Sequence, residues 1–409
     1  MKRFLSLALS TSLLASSALA QVPTFAKPAQ DNPAPVVRIV PGSPPAPQTA
    51  TPAPVDPATV VAQAAKPLPA LKLDARQIPL GGALKSPEVW AAYKTRFVTD
   101  QGRVVDTANN LISHSEGQGY GMLFAVAAND RHAFERIWGW TRANLMVRDD
   151  QLVAWRWEPN MRPAVGDMNN ATDGDILIAW ALAEAAELWN DTSYRIAGRR
   201  IAVEMGRKTI VNKTKYGSII LPAVSGFATE DRKDGPVVNI SYWVFPALSR
   251  LWIVAPEFDW SGISQSGLDL LKNAKFGPAG LPTEWVSAKE TTLKPADGFP
   301  QQFGYNSIRI PLYMAWAGIG EREHYAPYAA MWARSTALAV VDTASGRSVQ
   351  PMSESGYSTI ASLTLCVTDS KPLSRDFMSG RSAENYYPAT LQLIALLAAQ
   401  MRYTSCLRG

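Results

Sequence analysis

The sequence predicts an all-α domain with eleven or twelve helices. Apolar residues recur three and four positions apart in eleven segments, which is the period of a helix with one buried face. Strand-like alternation is confined to short pieces such as 216–222. Long loops separate several of the helices. This arrangement suits a toroid of paired helices whose loops line a cleft at one end.

The helical segments share an apolar stripe and are bounded by polar, Gly or Pro residues. In chain order they are 86–98, 117–129, 131–145, 174–189, 192–210, 242–254, 266–275, 307–319, 324–341, 356–367 and 386–401. Three connecting loops are unusually long, at 148–170, 221–238 and 276–305. Long ordered loops in a compact helical domain usually build a binding face, so we expect the functional residues there.

The chain is predicted to have three parts. Residues 1–20 carry Lys2 and Arg3, a short apolar stretch and a small-residue end at Ala20, which is typical of a secretory signal peptide. An uncleaved membrane anchor is the alternative. Residues 21–71 are rich in Pro and Ala and predict an extended, disordered linker. Residues 72–409 contain all thirteen Trp and form the folded domain.

Composition excludes several function classes. The net charge of +5 is modest and no Lys/Arg block is interleaved with aromatic residues, so nucleic acid is not an expected partner. The three histidines lie far apart and no Cys or His pair has ligand spacing, so no metal site is expected. No Gly-rich phosphate loop follows a strand-like run, and no cofactor is predicted. Cys366 and Cys406 can pair in an exported chain or remain free.

The first candidate site is the stretch 114–122, which opens a helical segment with Glu116. Three glycines within five residues lower its helix propensity, so the backbone there is expected to pass close to another group. Glu116 lies near a helix start. It can therefore serve the helix dipole or cap alone, or it can be a catalytic carboxyl.

The second candidate site is 170–175, which runs directly into the helical segment 174–189. Thr172 or Asp173 is placed to cap this helix, which is a purely structural role. Asp173 and Asp175 also form a polar cluster that can hold sugar hydroxyls. The sequence alone leaves both interpretations open.

The third candidate site is 303–313, where Arg309 falls in the first turn of a helix. A cation at this end of a helix opposes the macrodipole, so pairing of Arg309 with a carboxylate is favoured over a solvated side chain. Aromatic residues also occur in loops or beside polar residues. Trp155, Trp157, Trp243 and Trp285 are such positions and suit stacking on pyranose rings, although most Trp residues are simply core.

Taken together, these segments resemble glycoside hydrolase family 8, in particular the periplasmic or secreted endoglucanases that accompany bacterial cellulose synthases. The resemblance covers about residues 89–401. It is carried by GRVVDT, SHSEGQGYGMLFA, NNATDGDILIAWAL, VNISYWVFPAL, LPTEWV and NYYPATLQLI. It implies an (α/α)6 barrel with an open cleft and inversion at the anomeric carbon.

The resemblance also implies roles for individual residues. Glu116 matches the general acid, and Asp173 matches the acid that binds and distorts the sugar at the cleavage point. The substrate-binding positions are predicted to be Trp157, Tyr242, Trp243, Tyr305, Arg309 and Tyr386. Asn306 is the departure, because related endoglucanases have Asp there as the base that activates water. A neutral amide has no useful basicity near neutral pH.

Three hypotheses follow from Asn306. Another loop acid replaces the base, with Asp297, Glu284, Asp167 and Glu354 as candidates; or the enzyme is slow and trims tangled glucan during export; or the chain is a glucan-binding or scaffold protein without turnover. The predicted partners are a β-1,4-glucan chain and the cellulose synthase and export complex. The mature protein is expected in the periplasm or outside the cell, without stable membrane insertion.

Overall fold

The structure is a computed structural model that describes residue 71, residues 73–333, 336–374 and 377, and residues 385–408. The predicted signal peptide and nearly all of the predicted linker lie outside these residues. Within the described part, eleven α-helices form the body of the domain. They are α1 (Pro87–Phe97), α2 (Ser115–Ala127), α3 (Arg131–Asn144), α4 (Thr172–Leu188), α5 (Thr192–Thr209), α6 (Phe245–Leu248), α7 (Trp260–Asn273), α8 (Arg309–Ala317), α9 (Arg322–Trp332), α10 (Ser355–Asp369) and α11 (Tyr386–Arg402).

Outer and inner helices alternate along the chain from α1 to α10. Every residue of α2 and α8 is buried, as are all but the last two of α4, because these helices are apolar all round. Helices α3, α5, α7 and α9 bury only one face. Among the inner helices, α2 packs against α4, α4 against α6 and α6 against α8, and α8, α10 and α11 pack against one another. The outer helices α3, α5, α7 and α9 lie beside α2, α4, α6 and α10 respectively. The fold is an (α/α)6 barrel, as predicted.

Ten short strands lie in the described loops between these helices. They are β1 (Ser113–His114), β2 (Arg156–Trp157), β3 (Ile210–Thr214), β4 (Gly217–Ile220), β5 (Val237–Val238), β6 (Val286–Ser287), β7 (Lys294–Pro295), β8 (Gln302–Phe303), β9 (Leu338–Asp342) and β10 (Arg347–Met352). The pairs are all antiparallel: β1 with β2, β3 with β4, β5-β6-β7, and β8-β9-β10. Strand β4 confirms the alternation seen at 216–222.

Two predicted helices are wrong in part. Segment 242–254 is broken into a 3-10 turn (Ile240–Tyr242), the four-residue α6 and a second 3-10 turn (Leu251–Ile253). Pro246 lies in the first turn of α6, where its missing N–H is tolerated, but a continuous helix from Tyr242 would need that N–H to bond Tyr242 O. Segment 324–341 stops being helical at Trp332, and its end forms β9, where Val340 and Val341 suit a strand.

The three long loops all lead into inner helices. Loop 148–170 precedes α4, loop 221–238 precedes α6 and loop 276–305 precedes α8. They therefore lie at the end of the barrel where the amino termini of the inner helices point. No helix among the described ranges combines the length and apolar character needed to cross a lipid bilayer.

A disulfide joins Cys366 in α10 to Cys406 in the 3-10 turn Thr404–Arg408, across a sequence separation of 40 residues. Closing a loop of that length restricts the unfolded chain and is expected to contribute about 4 kcal/mol. Reduction should therefore lower the free energy of unfolding by that order, measured by urea titration with and without dithiothreitol. The control is Cys366→Ala/Cys406→Ala, which should not respond to reductant. Equal midpoints for the oxidised and reduced wild type would contradict the prediction.

Candidate active site

Arg309 is the centre of a buried charge cluster at the amino-terminal end of the inner helices. It is the first residue of α8 and is 1% exposed. Its Nη1 donates to Asp173 Oδ2 at 2.9 Å and to Glu116 Oε1, while Nη2 donates to Asn306 Oδ1 at 2.8 Å and to Ser241 Oγ at 3.0 Å. The predicted pairing of Arg309 with a carboxylate is confirmed, and it involves two carboxylates rather than one.

The two carboxylates come from equivalent positions on neighbouring helices. Glu116 is the second residue of α2 and Asp173 the second residue of α4, and both are almost fully buried. The positive end of each helix dipole and the shared guanidinium both favour negative charge there. The structure therefore brings together Glu116, Asp173 and Asn306 around Arg309. We also predict that a single sugar-sized groove borders all three side chains, and this stays a prediction.

Close packing of α2 against α4 explains the glycines in both motifs. A Cβ at Gly119 would lie 2.6 Å from Leu177 Cβ, and a Cβ at Gly174 would lie 2.1 Å from Ser115 Oγ. The expectation that the backbone passes close to another group in 114–122 is confirmed. Only glycine at these two positions lets the helices approach closely enough to place both carboxylates on one guanidinium.

The predicted cap at the start of α4 is not formed. The N-cap residue is Ala171, and Thr172 donates from Oγ1 to Leu221 O at 2.7 Å instead of capping. Asp173 Oδ1 accepts only from the adjacent Gly174 N–H, at 2.9 Å. Both residues already lie inside the first turn, so their side chains are free of the capping role that the sequence allowed.

Burial dominates the electrostatics of the acids on α4. It raises the pKa of Asp173 to about 6, with Glu116 adding to the rise and Arg309 opposing it. Burial also raises the pKa of Asp175 to about 7. Asp175 accepts from Val153 N at 2.9 Å and from Asn170 Nδ2 at 2.8 Å, so it fixes the end of loop 148–170 and does not contact Arg309.

His114 lies beside Glu116 at the start of α2. Its Nδ1 accepts from Gly117 N at 3.0 Å, caps α2 and lies 3.8 Å from Glu116 Oε2, while Nε2 lies 3.6 Å from Asp106 Oδ2. Burial disfavours the charged imidazole, but Asp106 and Glu116 outweigh it and raise the pKa of His114. The imidazole thus orders the turn that carries Glu116.

Two tyrosine hydroxyls also belong to the cluster, on the side of Glu116. Tyr120 Oη donates to Glu116 Oε1 at 3.1 Å and is hydrogen-bonded to Tyr313 Oη. Both rings are fully buried. These residues were not singled out from the sequence, although each lies four positions after a site residue on its helix, Glu116 or Arg309, and so on the same face.

Some predicted substrate-binding aromatics keep part of their surface open. Tyr305 is half-buried, and its hydroxyl accepts from Gln350 Nε2 at 3.3 Å. Trp157 is also half-buried; its ring packs edge-on against Trp140, and the Arg103 guanidinium lies 5.0 Å from its centroid. These two rings retain accessible surface on which a sugar ring can stack.

Other predicted aromatic positions are enclosed. Trp243 is a core residue, fully buried, with Nε1 donating to Ile263 O at 2.8 Å, so its ring has no open face. Tyr242 and Tyr386 are each 1% exposed. The Tyr242 ring lies 5.7 Å from the Arg309 guanidinium, and Tyr386 lies against the His114 ring at 5.7 Å. These two tyrosines support the charge cluster from its sides.

Glu284 is the loop acid that contacts Asn306. Its Oε1 accepts from Asn306 N at 2.8 Å. The other three candidates have different partners. Asp167 accepts from Trp155 Nε1 and Asn169 N, Glu354 accepts from Asn385 N and Nδ2, and Asp297 is exposed.

The family model for glycosyl hydrolases family 8 matches residues 81–401. The chain belongs to this family. A probable endoglucanase of Novacetimonas hansenii is 33% identical over 314 residues, which cover 76% of this chain and 89% of that protein. An endoglucanase of Cellulomonas uda is 39% identical over 228 residues, covering 56% of this chain and 62% of the relative.

Solved family 8 structures share the fold. The endo-β-1,4-glucanase CMCax from Acetobacter xylinum superposes with a TM-score of 0.69 at 32% identity, covering 80% of this chain and 99% of that one. The family 8 endoglucanase Cel10 from Klebsiella pneumoniae gives a TM-score of 0.66 at 34% identity, covering 76% and 99%. These matches confirm the family and barrel predicted from the motifs, and they make the chain a glycoside hydrolase by descent.

Proposed function

We propose that this family 8 protein is an inverting endo-β-1,4-glucanase that acts on glucan chains during bacterial cellulose biosynthesis. Glu116 is the general acid, and Asp173 binds and distorts the sugar at the cleavage point. The observation that carries the proposal is the convergence of Glu116 and Asp173 on one nitrogen of Arg309, with Asn306 on the other. The endoglucanase relatives support the β-1,4-glucan substrate.

The charge balance of the cluster suits acid catalysis. One guanidinium compensates a single negative charge, yet two buried carboxyl groups face it. Ionising both carboxyl groups would leave an uncompensated buried charge, and the pKa of Asp173 is accordingly raised to about 6. In the proposed mechanism Glu116 delivers a proton to the leaving glycosidic oxygen, which becomes a hydroxyl as its bond to the anomeric carbon breaks.

A second candidate function is glucan binding or scaffolding in the export machinery, without efficient turnover. Asn306 favours it, because an amide in the place of the base would leave the attacking water without a proton acceptor. Losing a general base typically lowers the rate by about 10²–10⁴. Half-buried Trp157 and Tyr305 would still serve to hold a glucan chain.

The two candidates are separated by the products of the wild-type chain. We expect cellopentaose to be cleaved and the first product detected by proton NMR to be the α-anomer, because inversion converts a β-linkage to an α-hemiacetal. A β-anomer as first product would contradict the inverting mechanism. If wild type is inert on carboxymethylcellulose, Asn306→Asp gains activity and oligosaccharide still binds, the chain is a glucan-binding protein.

The cellular setting is proposed on the sequence. A signal peptide at 1–20 would deliver the mature protein to the periplasm or beyond the cell, with residues 21–71 as a tether. Glucan leaving a synthase would then reach the enzyme at the export complex. N-terminal sequencing of the mature protein and fractionation of the producing cell test this placement.

A further inference from the structure

Asn306 bridges a buried cation and a buried carboxyl group. Its Oδ1 accepts from Arg309 Nη2 at 2.8 Å, and its backbone N–H donates to Glu284 Oε1 at 2.8 Å. The side-chain amide also lies close enough to the Glu284 carboxyl to lower the pKa of that carboxyl. An amide fits this place because it accepts from Arg309 and carries N–H groups toward Glu284. A carboxylate at position 306 could only accept, and would face Glu284 with like charge.

The chain leaves room for the Glu284 carboxyl beside position 306. Glu284 is 7% exposed, and a Cβ at Gly304 would lie 2.8 Å from its Oε1. The side-chain amide of Gln302 lies beside this carboxyl and lowers its pKa. Burial raises the pKa of Glu284, and Asn306 and Gln302 oppose that rise. The result is a positioned carboxylate with more basicity than a surface Glu.

Glu284 is the candidate loop acid that is connected to the charge cluster. From Glu116 to Glu284 the contacts run through the Arg309 guanidinium and through Asn306, whose backbone N–H donates to Glu284. An inverting glycosidase needs roughly 6.5–9.5 Å between its two carboxyl groups, so that a water molecule fits between the base and the sugar. Asp167, Glu354 and Asp297 have no such connection to residue 306 among their described contacts.

We propose that Glu284 is the proton acceptor for the attacking water, and that the Asn306 amide orients this water. The inference rests on the proposed function. In the step, an O–H bond of water breaks and its proton passes to the Glu284 carboxylate. The water oxygen bonds to the anomeric carbon, the glycosidic bond breaks, and the leaving oxygen takes the proton of Glu116. Solvent then returns both glutamates to their starting states.

The test compares Glu284→Gln, Asn306→Asp and the double variant with wild type on cellopentaose. We expect Glu284→Gln to lower kcat by about 10²–10⁴, the usual effect of losing a general base. In the Asn306→Asp background the same change should cost less than tenfold, because the new carboxylate takes the proton. A purely structural Glu284 would make the loss equal in both backgrounds, which would overturn the inference.

Two further measurements guard against misfolding. Glu184→Gln is a control for removing a buried carboxylate, because Glu184 accepts from Leu80 N at 2.9 Å and pairs with Arg250 at the far end of α4. Losing this ion pair puts its folding more at risk than that of Glu284→Gln, yet kcat of the folded variant should stay near wild type. Glu284→Ala should be rescued by azide, which attacks without losing a proton and forms an α-glycosyl azide. Failure of azide to form this product in a folded Glu284→Ala chain would count against the base role.

Failure of the inference and failure of the proposed function are distinguishable. If wild type cleaves cellopentaose with dependence on Glu116 while Glu284→Gln stays within threefold of it, Glu284 is not the acceptor and the hydrolase function stands. If wild type releases no product at any pH, the proposed function fails and the inference falls with it.

Discussion

Replacing Glu116 by Gln is expected to lower kcat on cellopentaose by about 10²–10⁴, the range for losing a general acid. Gln keeps the size and one acceptor oxygen for Arg309 and Tyr120, so the surrounding hydrogen bonds can persist. What it cannot supply is the proton for the leaving sugar oxygen. The measurement is steady-state product release, read by chromatography against wild type.

The leaving group supplies the control for this prediction. In a dinitrophenyl cellotrioside the leaving group is a stabilised dinitrophenolate, which needs no proton to depart. Glu116→Gln should therefore cleave this substrate at close to the wild-type rate. A variant with equal losses on both substrates would have lost its site geometry rather than its acid. That result would remove Glu116 from the acid role.

The charged centre was predictable because its residues follow simple rules. A cation at the start of a helix favours a carboxylate partner, and Arg309 has one. Glycines inside a helix indicate a close neighbour, and Gly119 and Gly174 each have one. The family motifs then pointed to Glu116 and Asp173. What no local pattern fixes is which helix ends meet, so the joint contact of both acids with one guanidinium had to come from the fold.

The residues missed or misplaced show the limits of the local pattern. Tyr120 and Tyr313 lie within the candidate stretches 114–122 and 303–313 but were given no role there, and their position one turn after Glu116 and Arg309 places them in the cluster. Trp243 was predicted to bind substrate, but its ring is buried in the core. Burial of an aromatic ring depends on distant segments, here α7, that its neighbours in sequence do not reveal.

The fold shows the same division. The long helices α4 and α11 were predicted within two residues of their observed bounds, because their apolar residues recur with helical period along the whole segment. The segment 324–341 combined two elements, and its strand β9 forms only because β8 and β10 lie on either side of it. Strand pairing is a tertiary contact, so local periodicity could not separate it from the helix.

Replacing Arg309 by Met is expected to lower the free energy of unfolding by about 3–5 kcal/mol at pH 8, the cost of leaving buried charge without its partner. Glu116 would keep its bond from Tyr120 and Asp173 its bond from Gly174 N, but both buried carboxyl groups would lose the cation that they share. The matched control is Arg199→Met, since Arg199 pairs with Glu257 on the exposed surface and should cost less than about 1 kcal/mol.

The pH dependence of the free energy of unfolding tests whether unpaired charge causes the stability loss of Arg309→Met. The pKa of Asp173 is about 6 with Arg309 present, above the ordinary 3.8, so the folded state holds its proton more tightly than the unfolded chain does. Its contribution to stability is therefore present at low pH and is lost as pH rises through the folded pKa. Removing the opposing guanidinium raises that pKa further, so the deficit of Arg309→Met should shrink from pH 8 to pH 5. Adding Asp173→Asn should recover part of it at pH 8, whereas a deficit that is constant with pH would assign the loss to packing of the Arg309 side chain.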